Sequence, residues 1–363
     1  MRPTTENGHC SPSSTLDTRR GLFNGSVVQI VIALVLMILL IPVTASAGGF
    51  FDNGDDDHVC SFTAYLAFRA CGKDREDDYL ITKANCLNIV NNEARHECLS
   101  DARAERYEAA EECAEVFDAR KDLCGQLGEA AYDVADFWVA ENFVDPLQIG
   151  NGIAPNPYFP LTPGQSVYEG GDETITVSVT TKTKAIGGVT CLVVNDVAEE
   201  EGQVIEDTDD WYAQDIYGNV WYCGEISKNY EVYDGDVPAD PELVDIEGSW
   251  KGFREMAMPG VLIKANPQIG DIYRQEMALG DAEDVAEVIA NTASGLLEGD
   301  FCEEDGDTIA EYIASMCNND CLVTNEFTPL EPGVFEHKYY APGVGLILET
   351  NPEGECVVPE GVI

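Results

Sequence analysis

Six cysteines between residues 60 and 124 limit what this chain can fold into more than any other feature. They stand at 60, 71, 86, 98, 113 and 124, at intervals of 11, 15, 12, 15 and 11, which is a palindrome. Cys60 with Cys124, Cys71 with Cys113 and Cys86 with Cys98 each have residue numbers summing to 184, so all three pairs are centred on residue 92. Facing residues of two antiparallel helices share such a constant sum. At 3.6 residues per turn, steps of 11 and 15 return a side chain to nearly the same face, drifting by about 20° and 60°. Pairing within one helix is excluded, because 11 helical residues span about 16 Å, beyond disulfide reach. Residues 58–133 are also rich in Ala, Glu, Arg, Asp and Leu and contain no Pro, and Leu80, Ala84 and Leu87 recur at helical spacing. The series therefore predicts an antiparallel helical hairpin with three disulfide rungs, turning at Asn91-Asn92. Each rung contributes about 2–4 kcal/mol. A thiolate store for a soft metal such as copper is the alternative. Metal-binding thiols cluster more closely, and an oxidising compartment disfavours them.

The N-terminus argues for that compartment. Arg19-Arg20 precede an apolar run, Val27 to Ile41, broken only by Gln29. Pro42 and the small residues Ala45-Ser46-Ala47 follow. This is the pattern of an export signal, residues 1–47, removed before Gly48. Thr18-Arg19-Arg20-Gly21-Leu22-Phe23 resembles a twin-arginine box, but so apolar a run fits the general secretory route better. The run is short for a membrane span, and no span is expected once the signal is gone. Cys10 leaves with the signal, and twelve cysteines remain. An even number in an exported chain points to disulfides. The pairing of Cys191, Cys223, Cys302, Cys317, Cys321 and Cys356 stays open. With 67 acidic and 20 basic residues, the formal net charge is −47, which repels nucleic acid and anionic membranes.

Residues 48–57 form an acidic stub. Its Asp52, Asp55 and Asp57 are the candidate metal ligands, of a kind that wraps Ca2+, although no Glu stands where an EF-hand needs one. No other cofactor is suggested. Residues 134–155, rich in Pro and Gly, read as a linker. Residues 156–363 read as an antiparallel β domain. Thr174–Val179 alternates polar and apolar, and Val189–Val194 is a second strand. Asp210–Gln214 and Val220–Tyr222 flank a Gly218-Asn219 turn. Further strands are expected at 260–264, 271–275, 321–324 and 335–348, with short helices at 282–293 and 309–316. The expected fold class is α+β: a disulfide-laddered helical hairpin followed by a curved antiparallel sheet resembling a half-barrel.

Candidate chemistry is sparse. No nucleophile elbow, zinc-protease motif, phosphate loop or dinucleotide glycine pattern occurs. Glu336 and His337 would point to opposite faces of a strand, so His337 reads as structural. The candidate ligand-binding residues are aromatic: Trp211, Tyr212, Trp221, Tyr222, Tyr339 and Tyr340. Such rings stack on ring-bearing ligands or line apolar pockets, and one member of each neighbouring pair must face a concave interior.

Several stretches resemble a family of uncharacterised exported bacterial proteins. They are Asp210-Trp211-Tyr212-Ala213-Gln214-Asp215 with Gly218-Asn219-Val220-Trp221-Tyr222, Gly248-Ser249-Trp250, Tyr273-Arg274-Gln275-Glu276, Thr328-Pro329-Leu330-Glu331-Pro332, and Glu336-His337-Lys338-Tyr339-Tyr340-Ala341-Pro342-Gly343-Val344-Gly345. The resemblance covers roughly residues 156–349 and departs at Cys223, where that family tends to carry an aromatic residue. It implies no activity. The order of elements also resembles periplasmic lipoprotein-carrier folds, which implies a half-barrel and no function. Three readings follow. The first is an exported binding or carrier module for an apolar or ring-bearing ligand. The second is a structural or cell-surface interaction protein. The third is a hydrolase using paired carboxylates such as Asp210 and Glu336.

Overall fold

The computed structural model describes residues 58–363 other than residue 234. Residues 1–57, where an export signal and an acidic stub with Asp52, Asp55 and Asp57 are expected, lie outside the described residues. Helices α1 (Val59–Leu87) and α2 (Asn92–Leu127) form the hairpin. The expected rungs are all present: Cys60–Cys124, Cys71–Cys113 and Cys86–Cys98, with Cα separations of 5.6, 5.9 and 5.6 Å. The turn occupies 88–91, one step earlier than expected. Asn91 is the N-cap of α2, its side chain accepting from the amides of Glu93 and Ala94. The hairpin's buried side chains are mostly Cys and Ala, so the rungs replace a core that two helices alone cannot build. At the foot, the Glu129 carboxylate accepts from the Ser61 amide (2.9 Å) and hydroxyl, and caps the start of α1.

Residues 134–155 are not a free linker. Trp138 and Phe143 are buried, and the segment lies as a cover on the outer face of three strands, with Val144 donating to the Gln214 carbonyl. Those strands belong to a fifteen-stranded antiparallel sheet: β1 (Gly164–Gly170), β2 (Glu173–Ile186), β3 (Val189–Glu200), β4 (Gln203–Gln214), β5 (Val220–Ile226), β6 (Asn229–Glu231), β7 (Glu242–Asp245), β8 (Met258–Ile263), β9 (Ile272–Arg274), β10 (Glu276–Met277), β11 (Val285–Ala293), β12 (Cys321–Phe327), β13 (Glu336–Ala341), β14 (Gly345–Thr350) and β15 (Cys356–Pro359). The order is β10-β8-β5-β4-β3-β2-β1-β15-β14-β13-β12-β11-β9, with β6 and β7 branching from β4.

The two ends of that order, β10 and β9, are consecutive in the chain. The strand 272–277 bends at Gln275 and gives its first half to β11 and its second half to β8, and this nearly closes the sheet into a barrel. The crossing requires Gly260. A Cβ there would meet the Gln275 carbonyl oxygen at 2.3 Å.

Helix α3 (Gly306–Met316) covers the outer face of β12–β14 through Ile309 and Ile313. Residues 285–293, expected to be helical, are instead β11, hydrogen-bonded on both sides by β9 and β12. Val285, Ala286 and Val288 are fully buried there, and packing on both faces of the sheet overrides the local spacing. The six open cysteines pair as Cys191–Cys223, Cys302–Cys356 and Cys317–Cys321.

Candidate functional site

Alternation sorts the strand side chains between the barrel lumen and its outer cover. On β4, Asp210 and Tyr212 face inward while Trp211 and Ala213 face out. On β5 the alternation is interrupted. Tyr222 pairs with Tyr212, but Gly224 pairs with Trp211 and Glu225 with Asp210, so β5 carries one extra residue. Cys223 faces outward to its disulfide, and the bulge brings Glu225 inward, directly opposite Asp210. Gly224 permits it with φ of +126°, where a Cβ would also meet the Trp250 carbonyl at 2.6 Å. The Tyr222 hydroxyl then bridges the two acids. It donates to Asp210 and lies 2.9 Å from Glu225 Oε2.

The opposite wall supplies the rest of the site. Glu336, Lys338 and Tyr340 share the inner face of β13. Lys338 Nζ stands 3.2 Å from Glu349, 3.4 Å from Glu336 and 3.5 Å from Glu326, and Tyr340 donates to Glu326 at 3.2 Å. Glu276 accepts from the Trp250 indole at 3.1 Å.

Groups from both walls feel one another. Burial, reinforced by Asp210, Glu206, Glu173 and Glu349, pushes Asp196 up to about 8. Burial raises Asp210 to about 7, and it also raises Glu225, reinforced by Asp210, and Glu276, reinforced by Asp284 and Glu225. Glu349 stands at about 7, raised by burial and partly relieved by Lys338. Burial works against the Lys338 charge, but Glu349, Glu326 and Glu336 outweigh it and raise its pKa. The barrel wall encloses Lys338 yet leaves 24% of its side chain accessible, and Asp284 is exposed to solvent. The lumen is therefore acidic, rich in tyrosine and open to solvent at Lys338 and Asp284.

The six aromatic residues expected from sequence are all buried and divide between the two faces. Tyr212 and Tyr222 face inward, ring centroids 4.7 Å apart, with Phe159 and Trp250 packed edge-on against them. Tyr340 also faces inward. Trp211 faces out, with Lys184 Nζ 3.4 Å above its ring. Trp221 stacks on Phe137 of the cover at 5.1 Å. Tyr339 faces out and donates to Asp300, which also lies 2.8 Å from His337 Nδ1. The opposite facing of Glu336 and His337 is as alternation requires. The inward rings are packed side by side rather than ranged around an open cavity.

No known protein family, no curated protein and no solved structure matches the chain. What the site does must be argued from its own residues. Asp210 and Glu336 both reach the lumen. Glu225, Glu276, Asp284 and Glu349 join them there, and sequence reasoning missed all four. Glu225 depends on the bulge, for which the positive-φ glycine in Tyr222-Cys223-Gly224-Glu225 was the available signal. Among the described residues, no group of three His, Cys, Asp or Glu side chains is arranged to hold a metal ion.

A second concavity lies where the hairpin foot meets the barrel. It is a cleft of about 380 Å3 bordered by Arg120, Leu123 and Leu127 of α2, Tyr132, and Trp221, Val261, Arg274 and Met277 of the barrel. Of the six aromatic candidates, Trp221 borders it. A shallower hollow of about 180 Å3 lies beside Phe143 and Pro146.

Proposed function

We propose that this chain is an exported, non-catalytic binding module whose barrel lumen takes a small organic cation with an apolar or ring-bearing body. One observation carries the reading: Asp210 and Glu225 are brought face to face by a glycine bulge, inside a lumen where carboxylates outnumber their one lysine. Such an arrangement opposes folding, since burying like charges costs stability that an apolar lumen would not. Strongly perturbed carboxylates cluster at functional sites. A cation entering beside Asp210 and Glu225 would stabilise their charged forms, and Tyr212 and Tyr222, packed on each other and on Phe159 and Trp250, would part to take its body.

Export is part of the proposal. Six disulfides and the absence, among the described residues, of a helix long and apolar enough to cross a membrane are compatible with it. Finding Gly48 as the first residue of the secreted protein by mass spectrometry would support it, and recovering residues 20–40 would count against it.

Binding is tested by thermal shift with spermidine and benzyltrimethylammonium beside an uncharged analogue, benzyl alcohol. A ligand at 100 times its Kd adds about 2.7 kcal/mol. The cations should raise the melting temperature, and the rise should shrink in Asp210→Asn. Equal shifts from the uncharged analogue would overturn the reading.

A hydrolase is the second reading, favoured by the placement of Asp210 at about 7 beside a second raised carboxylate. Turnover of a glycoside or ester substrate that Asp210→Asn abolishes would establish it.

A further inference from the structure

The cleft at the hairpin foot holds a positive charge that the protein does not answer. Three charged side chains border it: Arg120, Glu283 and Arg274. Glu283 is fully committed. Its Oε2 accepts from Arg120 Nε at 2.9 Å, and its Oε1 accepts from Arg120 Nη2 and from the Gly280 amide. That leaves one guanidinium in excess, in a chain whose net charge is −47. Arg274 is 9% exposed, and its Nη1 is buried without a hydrogen-bond partner. Its Nη2 has only the Cys60 sulfur, at 3.9 Å, and its guanidinium lies 5.9 Å from the centre of the Tyr132 ring. A buried donor left in this state costs about 1–3 kcal/mol, more when charged. Apart from Thr63, Tyr132 and Tyr273, the remaining walls, including Leu127, Val261 and Met277, are apolar.

We propose that this cleft binds a small organic carboxylate, its head group on Arg274 and its apolar body along Leu127, Val261 and Met277. One surplus positive charge matches a monoanion, and a guanidinium presents paired N–H donors to a carboxylate. The volume falls at the small end of ligand pockets, which suits a medium-chain or aryl acid. Burial lowers the Arg274 pKa while Glu283 and Tyr132 oppose that, and a bound carboxylate would oppose it further. The site is separate from the lumen and does not depend on what the lumen binds.

Calorimetric titration of the whole, disulfide-intact protein with octanoate and with octan-1-ol tests the proposal. Octanoate should bind roughly tenfold tighter than the alcohol, or better. Arg274→Gln should remove that preference without lowering the melting temperature of the unliganded protein, because it removes an unanswered charge. Ala131→Trp, at the exposed rim, should block both compounds with Arg274 in place, and Asp210→Asn in the lumen should change nothing. Equal affinity for acid and alcohol, undiminished octanoate binding in either Arg274→Gln or Ala131→Trp, or no octanoate binding at millimolar concentration would overturn it.

Discussion

Arg120, one turn before the last rung of the hairpin, holds Glu283, 163 residues further along the chain, through two hydrogen bonds in a buried pair. The contact joins α2 to the loop before β11 and fixes how the hairpin stands on the barrel. Removing one partner of such a pair strands a buried charge, at a cost of about 3–5 kcal/mol. Arg120→Ala and Glu283→Gln should each lower the urea midpoint by that order. Arg120→Met with Glu283→Leu together should cost less than the two single changes summed. Strict additivity would show that the pair does not act as a unit.

The three rungs should not contribute equally. They are nested, with separations of 64, 42 and 12 residues, and with the middle rung in place the outer one still closes the larger ring, which makes it worth roughly 0.5 kcal/mol more than the inner one. Paired Cys→Ser replacement at 60 and 124 should therefore destabilise more than replacement at 86 and 98. Equal effects in denaturant titrations would mean that strain or residual unfolded structure decides instead. Non-reducing peptide mapping should recover all six pairings.

The hairpin could be read from sequence because a helix makes geometry linear in residue number, so facing cysteines declare themselves by a constant sum. Strands β2 to β5 were visible for a similar reason, since period-two alternation in Thr174–Val179 and the Gly218-Asn219 turn are local signals. What stayed hidden is what depends on partners far along the chain. β11 looked helical until β9 and β12 flanked it. The cover at 134–143 looked like a linker because Trp138 and Phe143 have meaning only against the outer face of the barrel. The lumen was half visible: Glu336 and Lys338 share a face by simple alternation, whereas Glu225 reaches Asp210 only through a bulge that shifts the register by one.

Closure of the barrel rests on a missing side chain. Gly260 on β8 lies where the 272–277 strand crosses, and a methyl group would stand 2.3 Å from the Gln275 carbonyl oxygen and 2.5 Å from that of Arg274. Both are backbone atoms with no rotamer to yield. Gly260→Ala should lower stability by about 1–3 kcal/mol, as overpacking does. It should also speed amide exchange along β8–β10 relative to β2 and β3. Uniform exchange across the sheet would remove the crossing from its closing role.

Stability should fall as pH rises through neutrality, the reverse of what salt-bridged carboxylates give. Burial raises Asp210 and Glu349 to about 7 and Asp196 to about 8, whereas an unfolded chain titrates these groups at about 4. Between ~4 and ~8 the folded state thus binds more protons than the unfolded one, and the linkage slope is negative. The contribution is present in full below the unfolded value and is lost as pH climbs through 7 and 8. Asp207, Asp271 and Asp300 work the other way. Against burial, hydrogen bonds involving Lys228, the Gln268 amide and His337 hold them below the usual carboxylate range, so their share is lost as pH falls below about 4. The two sets together place maximum stability at about pH 4. Urea midpoints measured at pH 5, 6, 7 and 8 should decline in that order, and Asp196→Asn should flatten the decline between 7 and 8. A midpoint that holds level or rises from pH 5 to 8 would mean that the lumen carboxylates are ionised in the folded protein. A cation bound among them should reverse the trend, stabilising the protein more at pH 8 than at pH 5, because it favours the carboxylate forms that the empty lumen disfavours.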